Sequence, residues 1–313
     1  MSRRIYRARL VAHAIVGGMV ARLQQCIVLA WLLAAAGWVG GWWPHARGVA
    51  VGGLLTLSLA HAGFLALEFI ASYHVSRRDP LGRATAVQCA RAWAAESRTA
   101  LRVFCWQQPF RFHAEPDYVP ERSGRRGVVL LHGFLCNRGF WNPWLRELRA
   151  SGHAFIAVDL EPVFGSIDHY ATTLDEAISR VTAATGRSPV LICHSMGGLA
   201  ARAWLRSADV ARVHRIVTIG TPHRGTWLAR FGRTVNGRQM RLDGEWLQQM
   251  ESACSSAREV PFTCWYSNCD NIVFPTSSAT LPGADNRLVP GRGHVEMAFV
   301  SSLRQQTLAL LDE

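Results

Sequence analysis

A serine in a tight turn is the first residue whose position suggests chemistry. Ser195 follows the apolar run Val190–Ile192 and precedes Gly197 and Gly198 at the start of an amphipathic stretch. A turn between a buried strand and a helix lifts the serine Oγ above the sheet, and the residues two positions away must be small. Gly197 meets this requirement, and Cys193 stands where glycine is usual. The pattern predicts a nucleophilic serine, and its alternative is an ordinary helix N-cap.

The elements around this turn follow from an alternation that begins at residue 127. Predicted strands cover 128–131, 155–158, 190–192, 216–219 and 262–267, and predicted helices cover 144–150, 173–185, 197–206 and 303–311. Apolar strands separated by helices indicate a mainly parallel sheet covered on both faces. Sites in such sheets form at the carboxyl ends of the strands, which is where Ser195 falls.

Four separated motifs lie in residues 127–313. They are Leu-His-Gly-Phe-Leu at 131–135, the serine turn at 193–198, Gly-Thr-Pro-His-Arg-Gly-Thr at 220–226, and the pair Asp-Asn-Ile-Val-Phe-Pro at 270–275 with Gly-His-Val at 293–295. In order and in strand–loop context they resemble the α/β-hydrolase family, and within it the bacterial lipases and esterases. The resemblance implies an α/β-hydrolase fold, with a mainly parallel sheet covered by helices and a small helical cap.

The resemblance also implies a catalytic triad of Ser195, Asp270 and His294. A serine is a weak nucleophile until a base takes its proton, and His294 is the expected base. Asp270 is expected to fix the tautomer of the imidazole and to stabilise its positive form. The order serine, aspartate, histidine along the chain is the order of the family.

An acyl-transfer reaction also needs donors aimed at the developing oxyanion. By resemblance these are the backbone N–H groups of Phe134 and Met196. His132 and Gly133 belong to the same loop as Phe134. His132 is expected to order this loop rather than to transfer protons.

Other ionisable residues near the motifs are expected to have plainer roles. His194 is expected to pack within the turn, and His223 to shape a pocket wall or hydrogen-bond a loop. Asp285 lies between the expected acid and base and is the alternative acid, whereas Asp243 and Glu296 are expected to be solvated. Some lipases of this group hold calcium, but no matched pair of aspartates is present, so neither a metal nor a cofactor is expected.

Residues 222–260 occupy the position of the cap that hydrolases insert after the sixth strand. Apolar side chains alternate there with Gly232, Gly237 and Gly244. An apolar, glycine-jointed cap suits an acyl chain and is able to move as a lid. The alternative is a small helical subdomain that only packs against the fold.

Residues 1–80 hold two uncharged apolar stretches, predicted as helices over about 23–43 and 48–70. A helix of about 20 residues crosses a hydrocarbon core of roughly 30 Å. Five arginines precede the first stretch and three follow the second, whereas Arg47 alone lies between them. The positive-inside rule then predicts a hairpin in a bacterial inner membrane with a cytoplasmic catalytic domain. A cleaved signal peptide and a hairpin buried in a soluble protein are the alternatives.

Residues 81–126 connect the hairpin to the catalytic domain. The pattern predicts an amphipathic helix over 85–108 that ends at Pro109, followed by a linker over 115–126. The first two strands usual in the hydrolase fold are poorly defined, and Phe110–His113 is the candidate for one of them.

The net charge of +12 belongs mainly to the N-terminal part of the chain. Arginines exceed acidic residues by ten in residues 1–126 and by two in residues 127–313. A basic excess beside apolar stretches suits lipid headgroups, so membrane lipids are expected partners and nucleic acid is not. A local disulfide among Cys254, Cys264 and Cys269 is an alternative that a reducing compartment disfavours.

These features together predict a membrane-anchored serine hydrolase that cleaves carboxylic esters, with a lipid-like or other apolar acyl substrate. A thioesterase, an amidase or an acyltransferase would use the same triad. A non-catalytic module that binds lipids or a protein partner is a further alternative. So is a soluble or secreted lipase whose N-terminal region is cleaved or buried.

Overall fold

The computed structural model describes residues 18–120, 123–253 and 260–313. Its sheet has six strands: β1 (Val128–Leu131), β2 (Phe155–Val158), β3 (Val190–His194), β4 (Arg215–Ile219), β5 (Phe262–Tyr266) and β6 (Asp285–Leu288). Their order is β2-β1-β3-β4-β5-β6, and all neighbours are parallel. The mainly parallel sheet and its five predicted strands are confirmed. The sixth strand has an exposed polar sequence, so it carries no apolar signal.

Helices precede, connect and follow these strands. They are α1 (Met19–Trp42), α2 (Arg47–Val75), α3 (Ala86–Arg102), α4 (Gln108–Arg111), α5 (Asn142–Ala150), α6 (Tyr170–Thr185), α7 (Met196–Leu205), α8 (Val235–Gln239), α9 (Glu245–Ala253), α10 (His294–Met297) and α11 (Ser301–Ala309).

Both faces of the sheet are buried, as a parallel sheet requires. Side chains alternate along β1: Val129 and Leu131 pack with α6 and α7, and Val128 and Leu130 pack with α5 and α11. Burial of each such side chain contributes roughly 1.5–3 kcal/mol. These two layers hold the sheet rigidly beneath its carboxyl edge.

The order in which strands are added to the sheet reverses between β1 and β3. From β1 the chain crosses to β2 on one side, and from β3 it crosses to β4 on the other, although β1 and β3 are neighbours. A crevice forms at such a switch point, at the carboxyl ends of the strands. The loop 132–135 and the turn at Ser195 both open into this crevice.

The two N-terminal helices α1 and α2 form a hairpin joined by residues 43–46. Their 24 and 29 residues correspond to lengths of about 36 and 44 Å. By length and composition alone both are sufficient to cross a membrane. The expected arginines at positions 3, 4, 7 and 9 lie outside the described residues, and Arg22 lies on α1.

The amphipathic helix α3 begins with a capping box in which Thr85 and Gln88 satisfy each other's backbone N–H groups. The prediction that this helical segment ends at Pro109 is wrong. A π-helical turn, Val103–Gln107, leads into α4, where Pro109 lies in the first turn and no intrahelical N–H is required. The candidate strand at Phe110–His113 is also wrong, because residues 108–111 are helical.

The insertion between β4 and β5 is helical, as expected of a cap. It consists of a short turn at Trp227–Phe231 followed by α8 and α9. Met240, Leu247 and Met250 pack into the same core cluster as α6 and α7. The described part of the insertion therefore packs as a small helical subdomain. Residues 254–259 lie outside the described part of the chain.

Cys264 and Cys269 are free thiols, so the disulfide between them is not formed. Cys254, the third residue of that alternative, lies outside the described residues. Cys269 instead lies beside Cys89 of α3, with 3.8 Å between the two sulfur atoms.

The turn that carries Ser195 leaves no room for a side chain at Gly197. A Cβ there would lie 2.5 Å from the carbonyl oxygen of Leu131 and 2.8 Å from that of His132. We expect Gly197→Ala to lower the free energy of unfolding by about 1–3 kcal/mol, because backbone atoms must shift. Thermal unfolding of the detergent-purified protein measures this.

Gly63→Ala provides the control, since a Cβ at Gly63 meets nothing within 4 Å. Equal unfolding temperatures for Gly197→Ala and the unmodified protein would contradict the close packing of this turn.

Candidate active site

Ser195 lies in a strained backbone conformation between β3 and α7. Its φ of 54° and ψ of −126° are unfavourable for a residue with a side chain, at a cost of about 1–3 kcal/mol. Two hydrogen bonds hold it: the Ser195 N–H donates to the Ile219 carbonyl at 2.9 Å, and the Thr221 hydroxyl donates to the Ser195 carbonyl at 2.9 Å. The turn is therefore fixed by β4 and by the motif that follows it.

The loop after β1 approaches Ser195 closely at Gly133. A Cβ at Gly133 would lie 2.8 Å from the Cβ of Ser195, so only glycine fits. His132 holds this loop, because its Nε2 accepts the Leu160 N–H at 3.1 Å. Its Nδ1 must then carry the proton, which it donates to the Gly133 carbonyl at 2.9 Å.

Asp270 and His294 are in direct contact. Both side chains are buried, and 2.9 Å separates Asp270 Oδ2 from His294 Nδ1. The other carboxylate oxygen, Oδ1, accepts the N–H groups of Ile272 and Val273, each at 2.8 Å. The carboxylate is thus fully engaged, and Nε2 is the ring nitrogen left for another partner.

The surroundings of His294 favour its charged form. Burial lowers the pKa of the imidazole, but the charge and hydrogen bond of Asp270 outweigh burial and raise the pKa above its ordinary value. The neighbouring His194 shows the opposite effect, because burial and the nearby His294 hold its pKa well below the ordinary value. The two rings lie side by side, with centroids 4.6 Å apart.

Ser195 and His294 line one cavity of about 490 Å³, together with Phe134. The Ser195 Oγ makes no hydrogen bond to any described residue, and serine–histidine hydrogen bonds are often long before substrate binds. The N–H groups of Phe134 and Met196 likewise donate to no residue within the described ranges. Met196 is the first residue of α7, so its N–H has no intrahelical acceptor.

The other two candidate histidines make different contacts, and only His194 lies beside Ser195 and His294 in the cavity. His194 is buried, stacks on Phe140 and places its Nε2 3.2 Å from the His294 carbonyl. His223 is buried and lies 3.0 Å from the Thr218 hydroxyl, outside the residues that line the cavity.

The other three candidate carboxylates, Asp285, Asp243 and Glu296, each pair with an arginine. Asp285 lies on β6 and pairs with Arg287 at 2.7 Å. Asp243 is exposed, as expected, and pairs with Arg224. The expectation that Glu296 is solvated is wrong. It is buried because its carboxylate pairs with Arg292 and accepts the Gly293 N–H at the start of α10.

A buried carboxylate from α3 supports the segment that carries His294. Glu96 is 1% exposed and accepts the N–H groups of Val295 at 2.9 Å and Glu296 at 2.7 Å. Burial raises the pKa of Glu96 to about 7, against the lowering effect of these two hydrogen bonds. Sequence reasoning missed this residue, because Glu96 looks like any polar position of an amphipathic helix.

Helix α2 supports both loops through polar side chains near its end. The Ser72 hydroxyl donates to the Asp270 carbonyl at 2.6 Å. Glu68 accepts the Asn271 side-chain N–H at 2.7 Å, and the Asn271 side-chain oxygen accepts the His294 N–H at 3.1 Å. Glu68 is the only acidic residue in the apolar helix α2, and that isolation was the signal available in the sequence.

Within the described ranges, no group of three histidine, cysteine or carboxylate side chains lies close enough together to hold a metal ion.

The pKa of Glu96 gives stability a defined pH dependence. Its pKa is about 7 in the folded protein and near 4.5 ordinarily, so the folded state retains the proton more strongly. This contribution to stability is complete below pH 4.5 and is lost as the pH rises through about 7. We expect the stability difference between the unmodified protein and Glu96→Gln to fall across this range, as measured by urea unfolding at pH 4.5–8.

Glu245→Gln, at an exposed position on α9, is the matched control and should leave the pH dependence unchanged. Parallel stability curves for the unmodified protein and Glu96→Gln would refute the raised pKa.

Comparison with known proteins agrees with this architecture. Residues 128–261 match the model of the "Alpha/beta hydrolase family". The mature form of the Bacillus licheniformis lipase BlEst2 is 16% identical, with a TM-score of 0.53, over 63% of this chain and 96% of that one. Its propeptide form gives the same identity and TM-score over 62% of this chain and 52% of that one.

A search of curated proteins finds no significant match. At 16% identity the solved lipases establish the fold and leave the reaction to be argued from the site. The family match over residues 128–261, the parallel sheet and the strained serine turn at its switch point show that the domain built on β1–β6 has the α/β-hydrolase fold.

Proposed function

We propose that this protein is a membrane-anchored serine hydrolase that cleaves carboxylic esters with apolar acyl chains. The proposal rests on one observation: His294, which is paired with the buried Asp270, lines the same cavity as Ser195. A strained serine beside a carboxylate-bound imidazole is the arrangement that acyl transfer requires.

The reaction proceeds in two steps. The Ser195 Oγ attacks the acyl carbonyl while His294 Nε2 takes the hydroxyl proton, and Asp270 stabilises the resulting imidazolium. His294 then gives that proton to the leaving alcohol, and an ester forms between Ser195 and the acyl group. Water activated by His294 cleaves this ester and releases the carboxylic acid.

The oxyanion of each tetrahedral intermediate is assigned to the N–H groups of Met196 and Phe134. Neither is used by a described residue, and the Met196 N–H lies at the positive end of α7. A donor of this kind stabilises the transition state by about 3–4 kcal/mol.

The site favours an enzyme over a binding module. A module that only holds a lipid needs neither the strain at Ser195 nor the complete hydrogen bonding of Asp270. Strain of about 1–3 kcal/mol persists where the surrounding structure enforces it, and such positions cluster at active sites.

Membrane anchoring is supported by the exposure of the hairpin. Large apolar side chains are exposed along both helices: Ile27, Leu29, Leu32, Leu33, Leu55, Leu59, Phe64 and Leu67. Soluble proteins rarely expose a continuous apolar surface of this extent. By the positive-inside rule, the arginines around the hairpin favour a topology with both ends of the hairpin and the catalytic domain in the cytoplasm of a bacterial cell.

A soluble enzyme that has lost its N-terminal region fits the site poorly. Ser72 and Glu68 of α2 and Glu96 of α3 hydrogen-bond the loops that carry Asp270 and His294. Removal of the hairpin would take away Ser72 and Glu68, and would leave the Asp270 carbonyl and the Asn271 side chain without these partners.

The first experiment measures hydrolysis of p-nitrophenyl esters from acetyl to palmitoyl by the detergent-purified protein. We expect turnover that falls at least about 10³-fold in the Ser195→Ala variant, because the nucleophile is lost. Equal turnover by a folded Ser195→Ala variant, or none by either protein on any chain length, would rule out the proposed esterase.

The identity of the acid is tested in the same assay. We expect Asp270→Asn to lower kcat by about 10³–10⁴-fold, because it favours the wrong imidazole tautomer. Asp285→Asn is the matched control and should retain activity, since Asp285 pairs with Arg287 on β6. The opposite ranking would move the role to Asp285.

Anchoring is tested by extracting cell membranes with alkaline carbonate. An integral hairpin stays in the membrane pellet, whereas a protein held by charge is released. Because most of the apolar surface of α1 and α2 is left exposed by the described residues, we expect the protein in the pellet. Complete release into the supernatant would show that the hairpin does not enter the bilayer.

A further inference from the structure

We propose that the acyl chain of the substrate binds against helices α1 and α2, so that the membrane hairpin itself forms the acyl pocket and the chain enters from the lipid. This inference rests on the proposed ester hydrolysis at Ser195. It adds the binding site of the acyl chain and the direction from which the substrate enters.

The evidence for this inference is the set of residues that line the cavity. Its base includes Gly133, Phe134, Ser195 and His294, and most of its apolar wall comes from the N-terminal helices. The wall residues of these helices include Leu23, Ile27 and Val28 of α1, Phe64 and Leu65 of α2, and Ala100 of α3. None of the lining residues belongs to the described part of the cap, 227–253, which packs into the core near α6 and α7 instead.

The cavity is continuous with the outer surface of the hairpin. Ile27 and Phe64 line the cavity, yet they are 59% and 63% exposed, so they form its rim. Trp31, one turn beyond Ile27 on the same face of α1, is also apolar and exposed. A chain that leaves the bilayer along this surface reaches Ser195 along a mostly apolar wall, which removes most of the penalty of exposing an alkyl chain to water.

The same helices hold the catalytic loops. Glu68 and Glu96 line the cavity, and they also hydrogen-bond Asn271 and the backbone of Val295. The acyl wall and the Asp270–His294 pair are therefore assembled together, and α2 contacts both.

The inference is tested by substitutions in the hairpin that make the pocket narrower. Val28→Trp and Leu65→Trp place a large ring at two lining positions, and each should lower the ratio of kcat/KM for palmitoyl over acetyl p-nitrophenyl ester at least about tenfold. The ratio separates a blocked pocket from a general loss of activity.

Neighbouring exposed positions provide matched controls. Leu29→Trp on α1 and Leu67→Trp on α2 change residues that are 57% and 65% exposed and do not line the cavity. Phe231→Trp makes the same change on the cap. All three should leave the ratio unchanged. A shift in Phe231→Trp with none in Val28→Trp and Leu65→Trp would overturn the inference while the esterase stands.

A binding measurement distinguishes a failure of the hairpin pocket from a failure of the proposed esterase function. Ser195→Ala protein is photolabelled with a palmitoyl ester that carries a diazirine on its chain, and the adducts are mapped by mass spectrometry. We expect adducts at cavity-lining positions of α1 and α2 that excess unlabelled ester removes, whereas adducts at Leu29 and Leu67 persist. Competable labelling confined to residues 227–253 would overturn the hairpin pocket. Absence of Ser195-dependent turnover on every ester would instead refute the proposed function.

Discussion

The Asp270 carboxylate and the His294 imidazole lie out of water, and buried charged groups are stable only when their polar atoms are paired. The loop after β5 supplies two N–H groups to Asp270. The loops themselves then need support, because their backbone atoms are buried as well. Ser72 of α2 and Glu96 of α3 supply it, so the N-terminal helices are part of the framework that holds the Asp270–His294 pair.

This requirement explains why each hairpin helix has two zones. Polar contacts lie at one end, where Gln24 of α1 bonds Gln108 and Ser72 of α2 bonds the Asp270 loop. The free part of α1, from Ile27 to Trp42, is about 24 Å long, close to the roughly 30 Å of a hydrocarbon core. In the proposed enzyme, the zone that docks on the catalytic domain therefore adjoins the zone that enters lipid.

The local sequence pattern predicted most of the α/β architecture. It failed for residues whose burial depends on partners far away in the sequence or on the packing of the folded chain. Buried strands such as β1 and the turn at Ser195 have strong local signals, because β-branched runs and paired glycines act over a few residues. Glu96 contacts Val295 across 199 positions, and no local pattern encodes that pairing. The same limit explains Glu296, whose burial depends on its contacts with Gly293 and Arg292 at the start of α10.

The cap shows that a correctly predicted helical insertion does not establish what its apolar side chains contact. The sequence predicts an apolar helical insertion after β4, and residues 227–253 form one, but Met240, Leu247 and Met250 are used in packing against the core. Apolar composition alone does not distinguish a side chain that faces a substrate from one that faces the fold. The cover over Ser195 comes instead from helices more than a hundred residues earlier in the chain. Because α2 also holds the Asp270 loop, in the proposed membrane-anchored enzyme a change in the bilayer around the hairpin would act on the proposed acyl wall and on the Asp270–His294 pair together.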